Sequence, residues 1–129
     1  MSTAYAGTAI AVFGGALGQL LMKSGLQSLP FGEYGAMLKS LLHSHESALL
    51  IIAGIFSYVV SMIVWVHTLK SNELSKAYPL LSLGYVIVYV AAAFWPGLAE
   101  SFTLQKTLGI ALIIIGVWIT QSSASEEDL

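Results

Sequence analysis

Four runs of residues without a charged side chain constrain this chain more than any other feature. They cover residues 1–22, 47–69, 77–99 and 107–125. Each is about as long as the roughly 20 residues that a helix needs to cross a bilayer core. The runs are continuously apolar rather than alternating, which is typical of membrane helices and not of barrel strands. The pattern predicts an all-α membrane protein, a bundle of four transmembrane helices.

The composition excludes several classes of protein. Hydrophobic residues make up 57% of the chain and charged residues only 9%, whereas an average soluble domain has about 25% charged residues. A soluble enzyme or a disordered chain is therefore excluded. The net charge is -2 and the sequence has no arginine, so no basic face exists for a nucleic acid. The absence of cysteine excludes disulfides, cysteine zinc sites and cysteine nucleophiles.

The runs also predict how the chain is organised. We expect one transmembrane domain over residues 1–121, followed by a polar, acidic and disordered tail over 122–129. No Lys or Arg precedes the first run, so we expect a membrane helix there and not a cleaved signal peptide. Two lysines are expected on one side of the membrane and three on the other. This nearly even distribution does not predict an orientation.

Between the first two spans, the chain carries an amphipathic pattern. Pro30 breaks the loop over residues 23–47, and apolar residues then recur three and four positions apart. This spacing predicts a short amphipathic helix in the membrane interface; a helical cap packed over the bundle is the alternative. Two further prolines are expected at the ends of the third span, with Pro79 in its first turn and Pro96-Gly97 closing it. The apolar stripe consists of Phe31, Tyr34, Met37, Leu38, Leu41 and Leu42.

Small residues indicate where helices approach one another. Gly14 and Gly18 of the first span have the GxxxG spacing that lets membrane helices pack closely. The contact is expected either within the chain or across a dimer. Four thin helices leave little room for a polar interior, so we expect a homodimer or a heterodimer with a related small subunit.

Polar side chains at membrane depth are costly and therefore mark candidate functional positions. Together they predict a cavity with hydrogen-bonding groups and aromatic surface, which suits a sugar better than a bare ion. Lys23 and Lys76, near helix ends, can contact a phosphate. The alternatives are lysines that reach the head groups, aromatic belt residues and serines that bond their own backbone. The predicted cavity residues are Gln19, Ser61, Trp65, Tyr78, Ser82 and Tyr85.

No motif supports enzymatic chemistry. The sequence shows no Ser/His/Asp arrangement, no glycine-rich phosphate loop and no paired carboxylates within a span. His43 and His45 are two positions apart and point to different sides of a helix, so they predict no metal site. We therefore predict that the chain is not an enzyme and needs no cofactor.

The sequence resembles the small multidrug resistance proteins of the drug/metabolite transporter superfamily. That family couples drugs to protons through a glutamate in its first helix, but the corresponding position here is Gly15. A proton/drug antiporter of that mechanism is therefore not expected. The similar positions are Leu21-Met22-Lys23, Thr68-Leu69, Ala77-Tyr78, Ser82, Gly109 and Gly116.

A closer resemblance is to the aminoarabinose-phosphoundecaprenol flippase subunits of the same superfamily. The most specific piece is the run 74–83 (LSKAYPLLSL), and 18–20 (GQL) followed by Lys23 resembles the first helix of that family. The weaker matches are Pro96-Gly97, 102–104 (FTL) and Leu108-Gly109. The resemblance implies two paired subunits that move a lipid-linked amino sugar across the bacterial inner membrane, for the lipid A modification that confers polymyxin resistance.

Three functional hypotheses follow. The first is translocation of a polyprenyl-phosphate glycolipid, with the sugar aminoarabinose implied by the resemblance; Lys23 and Lys76 would meet the phosphate and the cavity the sugar. The second is a small-molecule exporter of the multidrug type, which the missing carboxylate disfavours. The third is a membrane subunit that assembles a larger complex and transports nothing.

Overall fold

The computed structural model describes residues 2–30, 32–71, 74–95, 98 and 100–127. In this part of the chain, the elements are α1 (Ser2–Gln27), α2 (Tyr34–His43), α3 (His45–Leu69), α4 (Leu74–Phe94) and α5 (Leu104–Glu127). All except the ten-residue α2 are long and apolar enough to cross a membrane. The predicted four-helix membrane bundle with a short helix between the first two spans is confirmed.

A line of small residues holds α1 against α3. A Cβ atom added to Gly18 would lie 2.7 Å from the carbonyl oxygen of Gly54, and one added to Gly54 would lie 2.7 Å from that of Gly18. Only glycine permits this approach, because any side chain would overlap the opposite backbone. The GxxxG pair of the first span therefore packs within the chain. The facing pairs are Gly7 with Thr68, Gly14 with Ser61, Gly18 with Gly54, and Gly25 with Ser47.

Hydrogen bonds between α1 and α3 reinforce this contact. Ser57 Oγ donates to the carbonyl of Gly14 over 2.9 Å, and Ser61 Oγ donates to the carbonyl of Ala11 over 2.5 Å. Such bonds between membrane helices contribute on average about 0.6 kcal/mol each. Ser57 and Ser61 thus bond the backbone of the neighbouring helix α1.

α4 packs on the α1–α3 pair, and α5 packs on α4. α1 contacts both α3 and α4. α3 and α4 approach each other at one end, where Trp65 and Ala77 share a buried cluster with Ala11 of α1. Elsewhere the two helices leave a groove between them, and α1 forms its floor.

Several details differ from the expectations. α4 begins at Leu74 instead of residue 77, so Pro79 lies in its second turn and not its first. The predicted disorder of the tail is wrong over residues 122–127, because α5 continues to Glu127; residues 128–129 lie outside the described part. α4 ends at Phe94, while Pro96 and Gly97, expected to close it, also lie outside the described residues, as does Phe31.

The short helix α2 carries its apolar stripe on the outside. No residue of α2 is buried, and Tyr34, Leu38 and Leu42 are all exposed at four-residue intervals. A cap packed over the bundle would bury these side chains. The structure therefore favours the interfacial helix over the cap.

Candidate functional site

A cavity of about 420 Å³ lies between α1, α3 and α4. It contains every one of the six residues that were predicted to form a polar cavity. Gln19 comes from α1, Ser61 and Trp65 from α3, and the other three from α4. The lining residues are Ala11, Val12, Gly15, Ala16, Gln19, Tyr58, Ser61, Met62, Trp65, Tyr78, Leu81, Ser82, Gly84 and Tyr85.

The floor of the cavity exists because α1 presents small side chains there. Ala11, Gly15 and Ala16 line it and extend no further than Cβ. Gly15, where the multidrug proteins carry their glutamate, thus contributes space rather than charge. Small residues of α1 therefore serve two purposes: one set allows close packing on α3, and another leaves space beside α4.

Aromatic rings form the walls and the rim. Trp65 and Tyr78 meet edge to face, with ring centroids 5.6 Å apart, and close the cavity at one end. Trp65 is 8% exposed, but Tyr85 is 62% exposed, and Tyr58 and Tyr78 are also exposed. The tyrosines therefore mark an opening on the side of the bundle, between α3 and α4, which faces lipid or a neighbouring chain in a membrane.

The polar groups of the cavity differ in what they can offer to a ligand. Ser61 Oγ donates to the carbonyl of Ala11 and Ser82 Oγ donates to that of Pro79, both over 2.5 Å. These hydroxyls therefore have only lone pairs left to offer. Gln19 and Tyr85 make no side-chain hydrogen bond to any described residue, so their amide and hydroxyl can both donate and accept.

Lys23 lies one helical turn beyond the cavity. It follows Gln19 by four residues on α1, and its Nζ donates to Glu100 Oε1. Glu100 Oε2 also lies 3.5 Å from Lys106 Nζ. Lys23 is not among the lining residues, but it stands in line with Gln19 at the cavity's end.

Lys76 lies near the other end of the bundle. It precedes Ala77, which clusters with Ala11, and its carbonyl accepts a hydrogen bond from Gln121 Nε2 over 2.9 Å. Lys23 follows Ala11 by twelve positions, which correspond to about 18 Å of helix. Lys23 and Lys76 therefore lie near opposite ends of the bundle.

The chain has relatives that match it over most of its length. The chain is 40% identical over 121 residues, 93% of its length and 93% of the relative's, to a probable 4-amino-4-deoxy-L-arabinose-phosphoundecaprenol flippase subunit ArnF from Serratia proteamaculans (strain 568). The chain belongs to this flippase subunit family. A relative of the same printed name from Photorhabdus laumondii is 42% identical over 80% of this chain and 84% of its own length. No protein-family model and no solved structure matches the chain.

Membership in the family confirms the resemblance inferred from the run 74–83 and from the end of the first span. The four spans and the flippase subunit relatives make the chain a multi-pass protein of the bacterial inner membrane. The relatives are named as transporter subunits and not as enzymes.

Eight of the fourteen lining residues were not in the predicted cavity, and two of these eight lie on α3. Tyr58 and Met62 of α3 line the cavity together with Ser61 and Trp65. Their spacing of three, four and seven residues places all four on one face of a helix, so the sequence pattern could have identified them. By contrast, Tyr89 shares the spacing of Ser82 and Tyr85 but bonds Thr107 Oγ1 over 2.9 Å, on the side of α5.

The two cavity serines give a direct test of this geometry. We expect Ser61→Ala to lower the free energy of unfolding by about 0.5–1.5 kcal/mol, because it removes a buried bond between two helices. Ser82→Ala is the matched control, since its hydroxyl bonds only its own helix, and we expect no measurable change. Thermal unfolding in mild detergent measures both. Equal melting temperatures for the two variants would contradict the assigned role of Ser61.

Proposed function

We propose that this chain is one subunit of a flippase that carries aminoarabinose-phosphoundecaprenol across the bacterial inner membrane. The observation that carries the proposal is the cavity with its side opening. During translocation, the sugar-phosphate head group of such a lipid must be kept out of the hydrocarbon core, whereas its polyprenyl tail stays in the lipid. A cavity open between α3 and α4 at membrane depth permits both at once.

The amino sugar fits the groups that line the cavity. Its hydroxyls can bond the amide of Gln19 and the phenols of Tyr58 and Tyr85, which have no other hydrogen-bond partner among the described residues. Its ammonium group can lie over the ring faces of Trp65 and Tyr78, and such cation–π contacts contribute about 0.5–2 kcal/mol. No carboxylate lines the cavity in the described part of the chain, so aromatic faces supply the attraction for the cation.

The positions of Lys23 and Lys76 are consistent with a translocation path that has one phosphate contact near each end. Lys23, one turn beyond Gln19, is placed to meet a phosphate whose sugar occupies the cavity. Lys76 lies about 18 Å away along the bundle. We assign the two lysines to successive positions of the phosphate during translocation, because they lie near opposite ends of the bundle. Each then contacts the head group on a different side of the membrane.

A second subunit completes the path in this proposal, either another copy or a related small subunit. The relatives are named as subunits. In this chain the cavity is open on one side, and α5 exposes apolar residues such as Leu112 and Trp118. A partner that covers the opening would enclose the sugar, while the polyprenyl tail extends into lipid along the interface between the two chains.

Substitutions in the cavity test the proposal. In cells that lack their own copy of this subunit, we expect a Gln19→Ala/Tyr85→Ala chain to restore about tenfold less aminoarabinose on lipid A than the unaltered chain. The double change removes two hydrogen bonds of about 0.7 kcal/mol each, and a loss of about 1.4 kcal/mol corresponds to a tenfold change. Mass spectrometry of extracted lipid A gives the measurement.

The control is Tyr34→Ala, which removes an exposed tyrosine of α2 outside the cavity, and we expect full restoration. Normal aminoarabinose content with the double variant, at equal protein level, would contradict the proposal. Efflux of a cationic dye that depends on the same two residues would instead support the multidrug type of exporter.

A further inference from the structure

A charged cluster at one end of the bundle lies outside the cavity. It consists of Lys23 at the end of α1, Glu100 between α4 and α5, and Lys106 in the first turn of α5; we call it the Lys–Glu–Lys cluster. One oxygen of Glu100 accepts from Lys23, and the other lies 3.5 Å from Lys106 Nζ. Each carboxylate oxygen thus faces a different ammonium group.

The arrangement needs an anion at its centre. Two ammonium groups on either side of one carboxylate repel each other, and the negative charge between them offsets that repulsion. The site is also accessible, because the side chains of Lys23, Glu100 and Lys106 are 38%, 29% and 50% exposed. A phosphate carries at least the same charge and likewise offers separate oxygens to the two lysines.

The cluster also stands at the right place relative to the cavity. Lys23 follows Gln19 by one helical turn, about 6 Å along the axis of α1. A phosphate joined directly to a sugar in the cavity would therefore reach the cluster, where Glu100 now lies. The backbone of Glu100 is held by a bond from its N–H to the carbonyl of Ala92 over 3.3 Å, so its side chain can swing away while the chain stays in place.

We propose that Glu100 is an internal stand-in for the substrate phosphate, and that Lys106 is a second phosphate-binding residue beside Lys23. This inference rests on the proposed function. When the phosphate of a polyprenyl lipid arrives, it displaces the Glu100 carboxylate and is held between Lys23 and Lys106. Glu100 thereby sets a threshold for binding: a ligand without a strong anion, such as a free polyprenol, cannot displace it.

The test compares affinities of the purified full chain in detergent for decaprenyl phosphate and for decaprenol, which lacks the phosphate. We expect Glu100→Gln to tighten binding of decaprenyl phosphate about three- to fivefold, because the internal competitor loses its charge. We expect Lys106→Gln to weaken it by a similar factor. Neither change is expected to alter binding of decaprenol.

Matched controls separate this effect from net charge. Glu46→Gln and Lys39→Gln change the charge equally, at exposed residues near the same end of the bundle, and we expect no change in affinity. Competition by millimolar inorganic phosphate would support an anion site that free phosphate can also enter. Binding of decaprenyl phosphate without such competition would support the lipid head group as the source. With or without competition by inorganic phosphate, Glu100 remains the group that occupies the phosphate site in the absence of substrate.

The inference is overturned if Glu100→Gln acts no differently from Glu46→Gln, or if Lys106→Gln leaves the affinity for decaprenyl phosphate unchanged. Such a result leaves the proposed function intact, since that is judged by the aminoarabinose content of lipid A with the cavity variants. Conversely, a normal aminoarabinose content of lipid A with the Gln19→Ala/Tyr85→Ala variant would contradict the proposed function. The affinities for decaprenyl phosphate would still test the Lys–Glu–Lys cluster.

Discussion

Trp65→Ala is expected to lower the free energy of unfolding by about 3–5 kcal/mol, the usual range for removing a buried tryptophan. Trp65 is 8% exposed and packs with Ala11 and Ala77 where α1, α3 and α4 meet. The change also removes the ring that closes the cavity against Tyr78. We therefore expect loss of both stability and aminoarabinose transfer, measured by unfolding in detergent and by lipid A mass spectrometry.

The same substitution elsewhere provides the control. Trp118 of α5 is 71% exposed, so Trp118→Ala is expected to change the unfolding free energy of the isolated chain by less than about 0.5 kcal/mol. Trp65→Phe keeps an aromatic ring and should recover part of the loss. Similar destabilisation by Trp65→Ala and Trp118→Ala would show that the three-helix junction is not the core of the bundle.

Gly54→Ala is the second change for which we expect a large effect. The new Cβ would lie 2.7 Å from the carbonyl oxygen of Gly18 and 2.8 Å from the backbone nitrogen of Met22. Because the opposing atoms are backbone, α1 and α3 must move apart along their shared line of small residues. Overpacking of this kind costs about 1–3 kcal/mol, to be measured as a lower melting temperature in detergent.

Gly35→Ala is the matched control for this change. Nothing lies within 4 Å of a Cβ added at Gly35 of α2, and alanine has a higher helix propensity than glycine by up to about 1 kcal/mol. We expect an unchanged or slightly higher stability there. If Gly54→Ala left the melting temperature as high as Gly35→Ala does, the close approach of α1 to α3 would be refuted.

The membrane spans and the short helix could be predicted from local patterns alone. A helix in lipid satisfies its own backbone groups, so a long apolar run is enough to specify it. The boundaries were less accurate: α4 starts at Leu74 and α5 continues to Glu127. Charged and polar residues end an apolar run, but they do not end a helix, which explains both differences.

The composition of the site could also be predicted in large part. Polar residues are costly at membrane depth, so Gln19, Ser82 and Tyr85 stood out from their apolar neighbours, and all three line the cavity. Their individual roles could not be predicted in this way. The sequence does not reveal that the hydroxyl of Ser61 bonds the carbonyl of Ala11, or that Tyr89 turns to Thr107.

The number of spans, their order and the set of polar residues that they carry follow from the sequence alone, because each depends only on a helix and its solvent. Tertiary structure decided which sides of those helices meet. Most of the surface of a membrane helix is apolar, so hydrophobic periodicity does not indicate which neighbour a given face meets. The rotation of each helix depends on contacts distant in sequence. Those contacts alone placed Lys23 beside Glu100 and Lys76 near the opposite end of the bundle.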